Sequence, residues 1–300
     1  MTTATRPLAR LNNPVVFATA PVETHLDRYR AAGFSVSDHV ADWEPGLRCG
    51  FVDLWPEYLE ILTVADDAAF DRGADATLRD DRARRGIHAI ELYSADTVDV
   101  HRSLTARAVP VPAVREDRLA TTAPEAGPDF FFLDLPMLPG ARVATMTSTF
   151  AGTAMRRFVK VAPNGVFALA GVSIVVDDPD AAAPTWDDIV EPGVHDLRFV
   201  TCEEWQAECP DAGDGGGVVC VHLASEDPER TAAMMVAAGW RRGPDIGGHR
   251  HMLPHPADDV RFTIRPGVVD DWRHRRLDVL GEHLDIRRPD PLIGHQEQDR

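Results

Sequence analysis

The chain has 300 residues, of which 44% are hydrophobic and 26% charged, with a formal net charge of −17. That is room for about two domains with real cores, and so acidic a chain repels phosphate backbones, which argues against nucleic acid as a partner. The opening MTTATRPLARLNN lacks a secretory apolar region, and no segment approaches the ~18 consecutive apolar residues of a membrane span, so a cytoplasmic protein with no membrane partner is expected.

Residues 1–11 read as an extension. A β-rich apolar run at 14–19 is followed by a helix pattern over 22–32, stopped by Gly33. Two further strands, 49–54 and 58–64, flank Trp55-Pro56-Glu57, and 65–85 is a charged, alanine-rich connection with room for a short helix. The pattern then restarts. A strand at 86–93 precedes a helix at 97–108 and a strand pair at 130–135 and 142–149. A third start lies at 169–176, turning at Asp177-Asp178-Pro179, with one short run after it at 197–202 and a Gly/Asp/Pro-rich connection at 206–216. The fourth opens at 217–223, with a helix over 228–238 stopped by Gly239 and a hairpin of 249–253 with 260–264. From about Arg273 the chain is highly charged and reads as a surface extension.

The second and fourth starts, GIHAIELYSAD and GVVCVHLASED, match glycine for glycine and aspartate for aspartate. The period is too long for a solenoid repeat and suits duplicated β-α-β-β-β units. The four cysteines, Cys49, Cys202, Cys209 and Cys220, form no C-x-x-C pair and read as reduced thiols rather than zinc ligands.

Three stretches carry a family resemblance: Pro14-Val15-Val16-Phe17-Ala18, the helix ending in Ala32-Gly33-Phe34, and Tyr58-Leu59-Glu60-Ile61-Leu62. With Ala162-Pro163-Asn164-Gly165-Val166 leading into Leu169-Ala170-Gly171-Val172, they resemble glyoxalase-like domains of the vicinal oxygen chelate superfamily. The resemblance implies an α+β fold of four βαβββ modules paired into two open half-barrel domains. The first pair would span 12–160 with the candidate site, a degenerate second pair 165–270, and a charged C-terminal tail 271–300. It also implies a divalent metal ion of unspecified identity, acting as a Lewis acid and held by His on first strands and Glu on last strands.

Carried over by position, His88 and Glu60 are the metal candidates, and Glu60, His88 and Glu91 the catalytic ones. The first module's own ligand position falls on Pro14, or on Asn13 one residue earlier, and Pro cannot ligate. In the second pair the matching positions are Gly171 and Val219, and His222 matches Glu91. Glu60 alternates with apolar Leu59 and Ile61, so it faces away from them. His249, His251 and His255 form the densest histidine cluster, with Asp258 and Asp259 nearby. Arg48, Arg142, Arg156 and Arg157 are candidates for an anionic group. Trp43, Phe51, Trp55, Tyr58, Tyr93 and Phe130–Phe132 are candidate pocket aromatics.

No phosphate loop, nucleophile elbow or H-E-x-x-H motif occurs, so no nucleotide cofactor is indicated. Two functions follow. One is an isomerase or lyase acting on a small oxygenated metabolite, with extradiol ring cleavage disfavoured because a 2-His-1-carboxylate set is incomplete. The other is a non-catalytic protein that sequesters a small molecule in the same cleft. A homodimer is compatible with either.

Overall fold

In a computed structural model the described residues are 9–38, 40–42, 46–54, 56–73, 79, 82, 86–117, 128–148, 158–211, 216–255, 259–280 and 284–288. The fold is mixed α and β, and the principal sheets curl into open half-barrels.

The first sheet has eight strands. Its first unit runs β1 (Arg10–Phe17), α1 (Val22–Ala31), β2 (Ala41–Asp42), β3 (Leu47–Leu54) and β4 (Glu57–Val64). A short helix, α2 (Asp67–Gly73), leads to the second unit: β5 (Gly86–Tyr93), α3 (Thr97–Ala106), β6 (Arg115–Asp117), β7 (Phe130–Asp134) and β8 (Arg142–Ser148). The strand order β2-β3-β4-β1-β5-β8-β7-β6 places the two β-α-β-β-β units back to back, joined where β1 and β5 run antiparallel.

A short β9 (Phe158–Lys160) precedes the second sheet. This contains β10 (Val166–Val175), α4 (Pro179–Asp187), β11 (Asp196–Val200), α5 (Cys202–Glu208), β12 (Gly217–Ser225), α6 (Pro228–Ala237), β13 (Arg241–Arg242), β14 (Arg250–Leu253) and β15 (Phe262–Pro266). Its order is β11-β10-β12-β15-β14-β13. The fourth unit is complete. The third keeps only strand, helix and strand, so the expectation of four full βαβββ modules is corrected there: β11 pairs parallel with β10 as β4 does with β1, no middle strands intervene between α4 and β11, and α5 follows β11 as α2 follows β4.

The repeated glycines and aspartates have local causes. Gly86 and Gly217 start their strands at positive φ (87° and 106°), a region glycine enters without a Cβ penalty. Asp96 caps α3 by accepting from the Val98 and Asp99 amides, and Asp227 caps α6 by accepting from Arg230. Asp178 does the same for α4, so the turn expected at 177–179 is a helix start.

One continuous core joins the two sheets. It includes Val16, Leu59, Ile61, Ile90 and Leu92 from the first and Val172, Ile174, Val221, Leu223 and Phe262 from the second. The charged C-terminal stretch is only partly peripheral. The last helix, α7 (Val269–Leu280), buries Trp272 and Arg276, and β16 (Asp285–Arg287) pairs with β9. Arg276 is fully buried and bonds through Nη1 to Glu57 Oε1, while His195 Nε2 lies 3.4 Å from the same oxygen. No helix among the described residues is long and apolar enough to cross a membrane.

Candidate active site

Strand alternation divides the first sheet into two faces. Leu59, Ile61, Ile90 and Val143 point into the shared core. Val15, Phe17, Cys49, Phe51, Leu62 and Ala89 form a separate cluster on the concave face, capped by Phe70 of α2. Glu60 shares the parity of Leu62, and Glu91 that of Ala89, so both carboxylates face the concave side.

Two β-bulges enrich that face. The pairing of β1 with β5 slips between Leu11 and Asn13, and again between Val15 and Val16. In each case the register skips one residue, Asn12 on β1 and His88 on β5. A bulge places consecutive side chains on one side. Asn12 Nδ2 donates to Asn13 Oδ1 (2.5 Å) and to the Tyr58 hydroxyl (3.1 Å). His88 lies with its ring centroid 5.3 Å from that of Phe17.

The centre of the face is the Glu60–Glu91 pair. Val15 pairs with Glu60 on one side, and Asn13 with Glu91 on the other. Asn13 Nδ2 donates to Glu60 Oε2 at 3.1 Å. Burial pushes the Glu60 carboxyl well above the ordinary range, and the charge of Glu91 pushes it further in the same direction. Hydrogen bonds from Cys49 and Asn13 offset only part of this. Glu60 is therefore held as the proton-bearing member of a carboxylate pair. Burial, and then the neighbouring Glu60, raise the Cys49 thiol, so it is a neutral donor and not a thiolate. His88 is pushed down to about 3, first by burial and then by Arg142, with a hydrogen bond to the Val15 backbone opposing. It is a neutral imidazole at physiological pH.

The metal expectation can be tested on these donors. His88 and Glu60 share the concave face, but His88 is turned onto Phe17 and bonded to the Val15 backbone. Asn13 presents its NH2, a donor, to Glu60. Among the described residues no group of three or more His, Cys, Asp or Glu side chains is arranged to hold a metal ion. The donor set present does not fit a metal centre.

The remaining candidates disperse. His251 is buried, with Nε2 3.8 Å from Cys209 Sγ. His255 lies with its ring tilted against that of Trp240 at 5.1 Å, and His249 is half-buried. Arg48 pairs with Glu23 (2.8 Å) and Asp42 (3.3 Å) at the surface. Trp43, Trp55, Arg156, Arg157 and Asp258 lie outside the described residues. Phe51 and Tyr58 meet edge to face at 5.2 Å, and Phe130 and Phe132 stack at 6.0 Å. Asn12 and Cys49 were not among the sequence candidates. The signal for the asparagine was the Asn12-Asn13 doublet inside an apolar strand, where two adjacent polar residues mark a bulge.

A glyoxalase-like domain family matches residues 15–190. The chain belongs to that family. Its fold is that of the vicinal oxygen chelate superfamily, as the half-barrel topology and the solved structures agree. A hypothetical protein from Staphylococcus aureus matches over 87% of this chain and all of its own (100%), at 9% identity and a TM-score of 0.55. An extradiol ring-cleaving dioxygenase from B. fuscum matches over 87% of this chain and 73% of its own, at 13% identity and a TM-score of 0.51. A methylmalonyl-CoA epimerase from Streptomyces coelicolor, in complex with 2-nitronate-propionyl-CoA, matches 48% of this chain and 99% of its own, at 22% identity and a TM-score of 0.35. No curated protein sequence matches the chain. For this glyoxalase-like chain the first two likenesses establish the fold alone, and a fold does not fix a chemistry.

Proposed function

We propose that this protein is an acid–base enzyme of the vicinal oxygen chelate type, an isomerase or lyase acting on a small oxygenated metabolite bound on the concave face of the first sheet. The observation that carries the reading is the buried Glu60, oriented by the Asn13 amide on the face it shares with Glu91, where burial and the Glu91 charge both favour its protonated form. A carboxylate pair that shares one proton contains both partners of a proton transfer. Glu91 as carboxylate takes a proton from a carbon next to the substrate carbonyl, and the resulting enolate is stabilised as Glu60 gives its proton to the oxygen. For isomerisation the proton returns to a different face or carbon. For elimination Glu60 instead protonates the departing oxygen. In both cases one proton is taken and one is given. Neutral His88 and the Asn12–Tyr58 pair act as hydrogen-bonding positioners on either side.

Proton exchange reads this step whatever the overall reaction. In D2O, a panel of small oxoacids, hydroxyketones and acyl thioesters is screened by NMR for loss of the α-proton signal. Exchange that falls about 10²- to 10⁴-fold in Glu60→Gln is the expected result. Tight binding of a panel member with no exchange in the wild type would replace this reading with sequestration. The apolar cluster around Phe17, Leu62 and Phe70 is the feature that favours that second reading. Near-stoichiometric metal in protein purified without chelators, lost in both Glu60→Ala and His88→Ala, would restore a metal to the mechanism.

A further inference from the structure

The central strands of the second sheet repeat those of the first, down to the bulge. In the first, Val15 pairs with Glu60 and Ala89, Asn13 pairs with Glu91, and His88 is the bulged residue. In the second, Ser173 pairs with Arg198 and Cys220, Gly171 pairs with His222, and the slip between Ser173 and Ile174 leaves Val219 as the bulged residue. Continuing outward, Glu91 pairs with Ala144 and His222 with Thr263. The registers therefore superimpose Arg198 on Glu60 and His222 on Glu91. Where the first half-barrel presents two carboxylates, the second presents a guanidinium and an imidazole. The Asn13 position is Gly171, where a Cβ would sit 1.9 Å from the Asp196 carbonyl oxygen, so that place cannot hold a ligating side chain.

The arrangement around His222 is fully connected. Its Nε2 is 3.0 Å from Ser173 Oγ and its Nδ1 is 2.5 Å from Thr263 Oγ1, and all three residues are buried. Burial, and then the charges of Arg265 and Arg198, hold the imidazole neutral. Arg198 and Arg265 are partly exposed above this chain (33% and 22%), so they line its approach. Arg265 is paired with Asp196 at 2.5 Å. Arg198 grips both carboxylate oxygens of Glu208 through Nη1 (2.7 Å) and Nη2. Glu208 is the last residue of α5, the helix that follows β11. A two-point, end-on guanidinium–carboxylate fork is a geometry of carboxylate recognition.

We propose that the concave face of the second sheet is a binding site for a small carboxylate, in which Arg198 is the anchor, the Ser173–His222–Thr263 chain is the polar floor, and Glu208 is an internal carboxylate that holds the ligand's place. This site is separate from the Glu60–Glu91 pair and does not depend on the proton-transfer reading. An intramolecular carboxylate competes at an effective concentration of roughly millimolar, so removing its charge must strengthen binding from solution.

The test titrates sodium acetate against the wild type, Glu208→Gln and Glu208→Gln/Arg198→Gln, following 15N-labelled arginine side-chain resonances, with sodium chloride at equal ionic strength as control. The expected result is a saturable shift of the Arg198 and Arg265 signals, with a Kd in Glu208→Gln at least tenfold below that of the wild type and no saturable shift of the Arg265 signal in the double variant. Equal affinity in wild type and Glu208→Gln, undiminished binding in the double variant, or the same shift with chloride overturns the proposal. Should Glu208→Gln lose the native Trp205 fluorescence, the wild-type titration decides alone: a saturable, acetate-specific Arg198 shift supports the site and its absence overturns it.

Discussion

Replacing Glu57 by Gln leaves Arg276 as a buried guanidinium without its counter-charge. Both side chains are essentially inaccessible (2% and 0%) and directly bonded. Loss of one member of such a pair costs about 3–5 kcal/mol, most of it the desolvation of the stranded ion. Unfolding entropy of roughly 2.1 cal/mol/K per residue gives about 0.6 kcal/mol/K for a chain of 300 residues, so the melting temperature is expected to fall by ~5–8 °C. Arg276→Met strands Glu57 and should cost a similar amount. The double change Glu57→Leu/Arg276→Met removes both charges and fills the space with apolar groups, and should recover most of the loss. His195 does not spoil this cycle, since burial holds it neutral. Denaturant titrations at pH 7 measure all four proteins, and raising the salt should change little because the pair is shielded from solvent. Additive penalties in the double variant, or a single-variant loss under about 1 kcal/mol, would refute the reasoning.

Glu60→Gln keeps an acceptor for Asn13 and removes the carboxylate facing Glu91. The raised Glu60 carboxyl binds its proton more tightly in the folded state, so wild-type stability should fall as pH rises from about 4.3 through the folded value. Gln removes that fall, and the stability difference between the two proteins at pH 4 and pH 8 checks it. Depressed histidines act in the opposite sense. With His88 at about 3 in the folded state, stability should be lost as pH drops below about 6.5, by ~2 kcal/mol at pH 5, and His88→Phe should flatten that part of an acid-unfolding curve. Glu57, held low by Arg276 against its own burial, adds a further loss below about pH 4.3. Gly171→Ala forces a Cβ onto the Asp196 carbonyl and should cost roughly 1–3 kcal/mol, read as a lower melting temperature. An unchanged value would mean that β10 and β11 can separate freely.

The first half-barrel was legible because its strands alternate cleanly and its helices carry their own start and stop residues. Leu59 and Ile61 showed only that Glu60 faces away from them, and its place on the cleft face came from the family resemblance. That Glu91, and not His88, would be its partner was not legible. The sequence lists them three residues apart on one strand, and only the cross-strand register with its bulge decides which comes beside Glu60. Arg276 was read as surface because it sits in the run Arg273-His274-Arg275-Arg276. Its partner lies 219 residues away, and no local pattern announces a pairing at that distance. The third module misled for a related reason. Its short run at 197–202 is the module's last strand, and only the parallel pairing of β11 with β10 shows that the two middle strands are missing before it.

The bulges give this scaffold an unusual tolerance. In a regular ladder, inserting or deleting one residue reverses the facing of everything beyond it. Here Ile87 and Ala89 already oppose Val16 and Val15 in sequence, with His88 between them as the residue the ladder does not count. Excising His88 would restore ordinary alternation and leave Ala89, Glu91 and Tyr93 facing as before. Val219 occupies the same uncounted position in the other half. Each half-barrel thus has one slot where a side chain can be exchanged, added or removed over the cleft without rewriting the sheet, and grafting a histidine at Val219 is the most direct way to build new chemistry into the half that lacks it.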